Sequence, residues 1–569
     1  MEWRAYNIAD LRNSKGERCL NKNKEIAAAV DDPHDLTQGA IVKKLLLFAL
    51  PIIAGNIVQQ LYNVVDTIVV GRFVGPHAIA AVSVAFPAMM VFNCLFMGLG
   101  MGSNIIIAQK RGAGDMDELT KAITSNMALT IYGGLIITVL GLVLGRGLLE
   151  LLNTPADIID DATTYLNIIM IGTIGNMMYN SCNGLVRGMG DSKWSFYALL
   201  ISSVINVVLD IVFVAVFHWD VAGVAIATTL AHIISAAILF YRVAAGKYPG
   251  RINLKRLHVV DKDIFVAVLR LGIPSSLQSA ASSVGNMLIQ SYSNSFGTLF
   301  ISANSIAIKV DGFAIMPLMG LGMAVTTFVG QNIGANKDER AAKGVRSATV
   351  MVITFGLTLG VILSNFGIGI MRLFTDDMQV LTMAQRGLRV LAITYCFMGM
   401  QNVWGGSMRG CGSATAPAVV ALTTTFARIP VAYFLAVKPL REMADAAVAA
   451  GEYATRELAI AGGVGVNENM LGMFISMAFS VILGAVLIGL YYFFGNWKAK
   501  AIRFSAPNGA PAGGPGPKGA PRGPMAPPAA AAVESGEETA ETPVPAPVGA
   551  AEESAEEPAA APAEVPAEE

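Results

Sequence analysis

The chain of 569 residues is 54% hydrophobic and only 14% charged, with a formal net charge of −1 and a mean hydropathy of +0.55. That balance lies far from the soluble norm and excludes an ordinary water-soluble globular body. With 40 basic residues against 41 acidic ones, nothing in the charge suggests a nucleic-acid partner.

Residues 1–40 form a polar, charged arm with no apolar core of signal-peptide type, so cleavage on export is not expected and the first span should target the chain. Roughly twenty apolar residues cross the hydrocarbon as a helix. About a dozen such segments fall between Lys43 and Trp497, near 45–71, 78–108, 120–151, 159–186, 194–217, 221–243, 264–295, 302–332, 344–373, 381–408, 414–437 and 463–494. The fold expected is an all-α polytopic membrane protein of twelve transmembrane helices, divided into an N-terminal lobe (41–250) and a C-terminal lobe (251–500).

Basic residues in short loops set orientation. Lys43, Lys44, Lys110, Arg111, Arg187 and Lys193 fall on one side, as do the cations between Arg242 and Lys262, those between Lys337 and Arg346, and Lys498, Lys500 and Arg503. The opposite loops are poorer, which predicts a multi-pass protein of the cytoplasmic membrane with both termini inside. Residues 438–462 are longer than an outer hairpin requires and read either as a surface helix over a cleft mouth or as a passive insertion. From 501 to 569 the chain turns to Ala, Pro and Glu, a composition that buries too little apolar surface to fold and predicts a disordered cytoplasmic tail. Five cysteines without CxxC spacing indicate neither a disulfide frame nor a zinc site.

An internal repeat divides the chain. "GLGMGSNIIIAQKRGAGD" around Gln109 returns as "GLGMAVTTFVGQNIGANKD" around Gln331, 222 positions later; "LVRGMGDS" (185–192) meets "SMRGCGSA" (407–414) at the same offset. Pro51 meets Pro274 with one residue of slippage. Six spans per half, an even number, place both halves in the membrane the same way round, related by a pseudo-two-fold axis along its normal. Rocking of two such bundles about a central cleft gives alternating access.

The segments "VKKLLLFALP", "QQLYNVVDTIVVGRFVG", "GMGSNIIIAQKRGAGD", "GLVRGMGDSKWS", "NVVLDIVF" and "MPLMGLGMAVTTFVGQNIGANKDERA", in order over about 36–500, resemble the multidrug and toxic compound extrusion (MATE) family. The resemblance implies a secondary active exporter of lipophilic organic cations and drugs, a monomer in the bilayer, coupled to H+ or Na+ and without a cofactor. Antibiotic and biocide resistance follows from that activity.

Acids inside membrane helices cost roughly 2.5–3.5 kcal/mol on insertion scales and tend to be functional or paired. Asp66 and Asp210 lie well inside spans 1 and 5, and Asn206 shares a helix face with Asp210. Both acids lie about 8–10 Å from the outer ends of their spans at 1.5 Å per residue, and Thr228 enters span 6 at similar depth. Asp66, Asn206, Asp210 and Thr228 therefore can surround one point, an all-oxygen cage for Na+ or, through desolvated acids, a proton site. The bland alternative is that Asn206 and Thr228 bond neighbouring helices. The resemblance implies the cation site at these same positions, in the branch that places it in the N-terminal lobe, with a carbonyl such as that of Val224 completing the shell.

The second half loses this chemistry: Asn206 maps to Arg428 and Asp210 to Ala432. Spans 7 and 10 carry no acid, although another branch of the family uses acids there. Asp311 and Arg428 are candidates for a charge pair within the C-terminal lobe. His232, one turn from Thr228, reads as a structural residue or a proton relay. Met89 and Met97 on span 2, and Met316 and Met323 on span 8, are candidate adaptable walls for substrate or ordinary packing. No GxxxxGK[ST], HExxH or GxSxG motif occurs, so neither an ATP-driven pump nor a familiar hydrolase is expected, and the protein reads as no enzyme. A flippase for lipid-linked cargo is the alternative transporter, and a membrane receptor or scaffold the alternative outside transport.

Overall fold

The computed structural model describes residues 34–497 apart from 74–75, 152–153, 156–157, 251, 254, 256, 258 and 496; many side chains between 63 and 96, Asp66 among them, are also outside the description. Expectations for the arm before His34, the acidic tail, and the contacts of the Asp66 carboxylate thus lie outside the described residues.

The apolar runs fold as helices because a backbone in hydrocarbon must satisfy its own donors and acceptors. In the N-terminal lobe they are α1 (Ile41–Phe73), α2 (Pro76–Ala113), α3 (Met116–Leu151), α4 (Ile159–Ile171) with α5 (Thr173–Gly188), α6 (Ser192–Asp210) and α7 (Asp220–Ala244). The C-terminal lobe repeats them as α8 (Lys262–Asn294), α9 (Gly297–Gly334), α10 (Asp338–Met371), α11 (Met378–Ala392) with α12 (Thr394–Gly410), α13 (Thr415–Ala432) and α16 (Val466–Phe494). No strand occurs among the described residues. The fourth and tenth spans are interrupted at Gly172 and Ile393, so each comes as two helices in sequence. Residues 438–461 are helical: α14 (Lys438–Ala449) runs on from the eleventh span, and α15 (Arg456–Ala461) folds back on it. A bidentate Arg456–Asp445 pair, with Nη2 to Oδ2 at 2.8 Å, closes this hairpin.

The repeat is visible in how the lobes meet. α2 packs on α8 and α9, while α9 packs on α1 and α2. Gln109 Nε2 donates to the Gly410 carbonyl at 2.8 Å, and its counterpart Gln331 donates to the Gly188 carbonyl at 2.9 Å. Beside them, a Cβ added at Gly112 would stand 1.9 Å from the Gln331 carbonyl oxygen, and one at Gly334 2.0 Å from that of Gln109. Only a bare backbone permits this reciprocal approach. One turn deeper, Thr327 Oγ1 bonds Asn104 Oδ1 at 3.2 Å. Among the described residues, the hydrogen bonds between lobes gather at this end of the bundle, and with them lies a strap of turns and bends, 34–40.

The strap crosses from one lobe to the other. His34 Nδ1 lies 3.3 Å from the Gly190 carbonyl, in the turn before α6. Two residues on, Leu36 N donates to Gln331 Oε1 at 3.0 Å and its carbonyl accepts from Asn332 Nδ2 at 3.3 Å. Lys337 Nζ then reaches the Thr37 carbonyl at 3.0 Å, and Arg340 Nη2 reaches those of Gln38 and Gly39 at 2.9 and 2.8 Å. Gly190, at φ +91°, has no side chain to collide with the His34 carbonyl, which would stand 1.9 Å from a Cβ.

This end should be intolerant of bulk. Gly334→Val is expected to cost about 1–3 kcal/mol through overpacking, read as a lower thermal midpoint of the purified protein. Gly369→Ala, where a Cβ meets nothing within 4 Å, should leave the midpoint unchanged.

Candidate functional site

Asp210 is the last residue of α6 and is fully buried; Asn206, one turn earlier on the same face, is buried with it. In the amide orientation that satisfies both ends, Asn206 Nδ2 donates to Asp210 Oδ2 at 2.8 Å and Asn206 Oδ1 accepts from Thr228 N at 3.1 Å. Within α7 the ladder partner of that N–H is the carbonyl of Val224, four residues back. The amide oxygen therefore competes with the carbonyl the resemblance assigns as a ligand. Val224 is buried and Thr228 half-buried. A compact apolar cluster of Tyr165, Val214, Val221, Val224 and Ala225 lies beside these groups, which keeps water away and strengthens any electrostatic interaction made there.

Asp66 lies on α1 seven residues before its end at Phe73, and α1 packs against α6. The two acid-bearing helices are thus neighbours, while the Asp66 carboxylate itself is outside the described residues. His232 sits one turn beyond Thr228, its ring beside Tyr179 with centroids 5.9 Å apart.

One feature was invisible to periodicity. Immediately after Asp210 the chain widens into a π-helical turn, Ile211–Val216. Such turns are rare and concentrate at functional sites, because the i→i+5 step shifts carbonyls and side chains off the α-helical register. The C-terminal lobe has the same device at the same offset, Tyr433–Val437 directly after Ala432. The backbone turn has been duplicated while the acid beside it has not.

Arg428, at the repeat position of Asn206, does not form the expected ion pair with Asp311. Its Nη1 is 3.5 Å from Asn286 Oδ1, and Asp311 Oδ1 instead accepts from the Tyr395 hydroxyl at 2.9 Å. A buried tyrosine on α12 offers a neutral donor at contact distance, so the carboxylate is held by a hydrogen bond, with the guanidinium acting only through space. Tyr395 is buried and was missed in the sequence, where a lone aromatic in an apolar span carries no signal.

The four methionines do not share one environment. Met89 packs within its own lobe beside Tyr165, Met97 is 60% exposed, Met316 is half-buried, and Met323 Sδ lies 4.0 Å from Arg187 Nη1 across the lobe boundary. Met97 and Met316 thus keep exposed surface, while Met89 serves packing and Met323 lies against the other lobe.

The buried Asn206 amide thus ties the Asp210 carboxylate of α6 to the backbone of α7 at Thr228.

The comparisons with known proteins agree with this architecture. The MatE family model matches residues 51–212 and again 274–434, once in each lobe. The probable multidrug resistance protein YpnP of Bacillus subtilis is 28% identical over 467 residues, covering 82% of this chain and 98% of the relative. YoeA of the same organism, also a probable multidrug resistance protein, is 28% identical over 403 residues, covering 70% and 87%. The fold is similar to that of a multidrug resistance MATE family transporter of the MOP superfamily solved in its outward-facing conformation, with a TM-score of 0.71 at 22% identity over 82% of this chain and 98% of that one. A helical membrane bundle duplicated about one axis, matched by the same family in both halves, is thus a member of the multidrug and toxic compound extrusion (MatE) family.

Proposed function

We propose that the protein is a secondary active exporter of lipophilic organic cations, working as an antiporter with H+ or Na+ from the cytoplasmic membrane, with both termini inside. The observation that carries this reading is the buried Asn206–Asp210 pair bonded to the backbone of Thr228, in the lobe where Asp66 also lies. The family relatives named for multidrug resistance support the substrate class.

A carboxylate enclosed in apolar packing is costly while charged, and a proton or cation lowers that cost. Occupancy of the site from outside neutralises Asp66 and Asp210, allows α1 to repack against α6, and favours release of the organic cation. Pro51, inside α1, removes one ladder hydrogen bond and lowers the cost of that bending. Return to the inward-facing state requires breaking the paired glutamine bonds, the Thr327–Asn104 bond and the strap contacts. Each is worth about 0.5–1.5 kcal/mol net, so together they exceed the roughly 2.3 kcal/mol that one charge gains per 100 mV. With the basic loops inside, the closed end is cytoplasmic and the conformer is outward-facing. The acids of the N-terminal lobe disfavour a diphosphate cargo, which calls for a cationic cleft.

Ethidium extrusion from proteoliposomes under an imposed proton gradient, then a sodium gradient, tests the reading. Wild type should respond to one of them, and Asp66→Asn or Asp210→Asn should lose at least about tenfold in rate, the equivalent of 1.4 kcal/mol. Equal transport by an Asp66→Asn variant at matched expression contradicts the coupling role. No gradient-driven movement by folded wild type favours lipid-linked cargo instead.

Asp311→Asn keeps the Tyr395 contact in neutral form and should preserve the same ion dependence. A switch in the driving ion on that substitution would place coupling in the C-terminal lobe.

A further inference from the structure

At the closed end of the bundle, beside the strap, is a cavity of about 780 Å³ bounded by the starts of α1 and α6 and the end of α7. Its lining carries four cationic side chains, Lys43, Lys44, Lys193 and Arg242, against one carboxylate, Asp191. That carboxylate is already answered from within the protein. It accepts from Tyr248 Oη at 2.7 Å and Trp194 N at 3.1 Å, with Arg242 Nη2 at 3.5 Å. Burial and the adjacent Asp191 push the Tyr248 hydroxyl above its ordinary range, so it remains a donor. Among the described residues no carboxylate lies within 4.0 Å of Lys43 or Lys193.

The lysines stand where a helix least tolerates them. Lys43 and Lys44 are in the first turn of α1, which contains no acid, and Lys193 is in the first turn of α6, whose one acid is the N-cap Asp191. A cation at the positive end of a helix is unfavourable, whereas an anion there is stabilised. The positive-inside rule accounts for cations on this face of the membrane. It does not account for their convergence with two helix N-termini on one cavity.

The cavity also has an apolar side. Leu47 and Tyr197 belong to its lining, and beyond them Leu50 on α1, and Ile201 and Val204 on α6, are exposed along the helices. Trp194, stacked 4.0 Å under the Arg242 guanidinium, and Tyr197 supply the amphipathic rings that sit at head-group level. A cationic mouth opening onto an exposed aliphatic wall matches one chemistry, a phosphate diester carrying acyl chains.

We propose that this cavity is a binding site for an anionic phospholipid of the cytoplasmic leaflet, with its phosphate between Lys43 and Lys193 and its chains along α1 and α6. Basic pockets between membrane helices on that side commonly hold such head groups. His34, Leu36, Gly39 and Ala40 of the strap form part of the same wall. A bound lipid therefore braces the strap in the position that joins the two lobes, and membrane composition sets how readily the closed end opens.

The test uses the full-length protein in phosphatidylcholine bilayers doped with brominated phosphatidylglycerol or brominated phosphatidylcholine. Quenching of tryptophan fluorescence is followed, and the Trp194 part is isolated by difference from Trp194→Phe. The brominated anionic lipid should quench Trp194 at a several-fold lower mole fraction than the zwitterionic one. Lys43→Gln combined with Lys193→Gln should abolish that preference, since each basic residue near an anionic surface is worth about a factor of five. Equal quenching by the two lipids in wild type overturns the proposal without reference to any variant. So does a preference that the lysine substitutions leave intact. Loss of the preference on adding excess inorganic phosphate identifies a soluble anion as the occupant and overturns the lipid assignment.

Discussion

A carboxylate sealed in a membrane bundle must have its charge answered, and Asp210 is sealed completely. The protein supplies part of the answer from one turn away, through Asn206, which in turn is fixed by the backbone of α7. Because the amide bridges α6 and α7, a change in the charge of the carboxylate is felt directly in the packing of two helices. The π turn that follows Asp210 lies at the same point, where its wider hydrogen-bond step takes carbonyls off the α-helical register.

The two lobes have diverged around this requirement. Both keep the long helices, the proline in the first span of the lobe, the π turn in the fifth, and the reciprocal glutamine contacts at the closed end. Only the N-terminal lobe keeps the amide and the acid. In its partner an arginine stands at the position of the amide, and an acid on a different helix, Asp311, is held by a tyrosine hydroxyl. A guanidinium is a permanent charge and cannot be exchanged with solution, so the C-terminal lobe is better suited to act as the rigid partner. In the transport cycle proposed above, the end with the close-approaching glycines and the strap is the joint against which the N-terminal lobe works.

Much of this was legible in the sequence because hydrocarbon imposes strict rules. The spans, their pairing at an offset of 222 and the shared face of Asn206 and Asp210 follow from length, periodicity and repetition. What escaped were features set by three-dimensional neighbours. Asp311 was expected to seek the nearest opposite charge, but Tyr395, distant in sequence, reaches it first. Neither π turn has a compositional signature. Residues 34–40 read as the end of a polar arm, whereas their backbone is bound to the C-terminal lobe and the His34 side chain reaches Gly190 of the N-terminal lobe. The methionines, read as candidate substrate walls or as packing, lie in different surroundings, which helical spacing alone does not distinguish.

The central claim is that the coupling ion and the organic cation are linked through the cluster at Asp210. Its most direct test is the release of the ion when substrate binds to the purified protein, with ethidium added in weakly buffered detergent solution and both pH and free sodium recorded. The account predicts that wild type releases a proton or a sodium ion on binding, and that Asp210→Asn binds ethidium without releasing either. Equal release by the two proteins, or no release by wild type that binds ethidium, would contradict it.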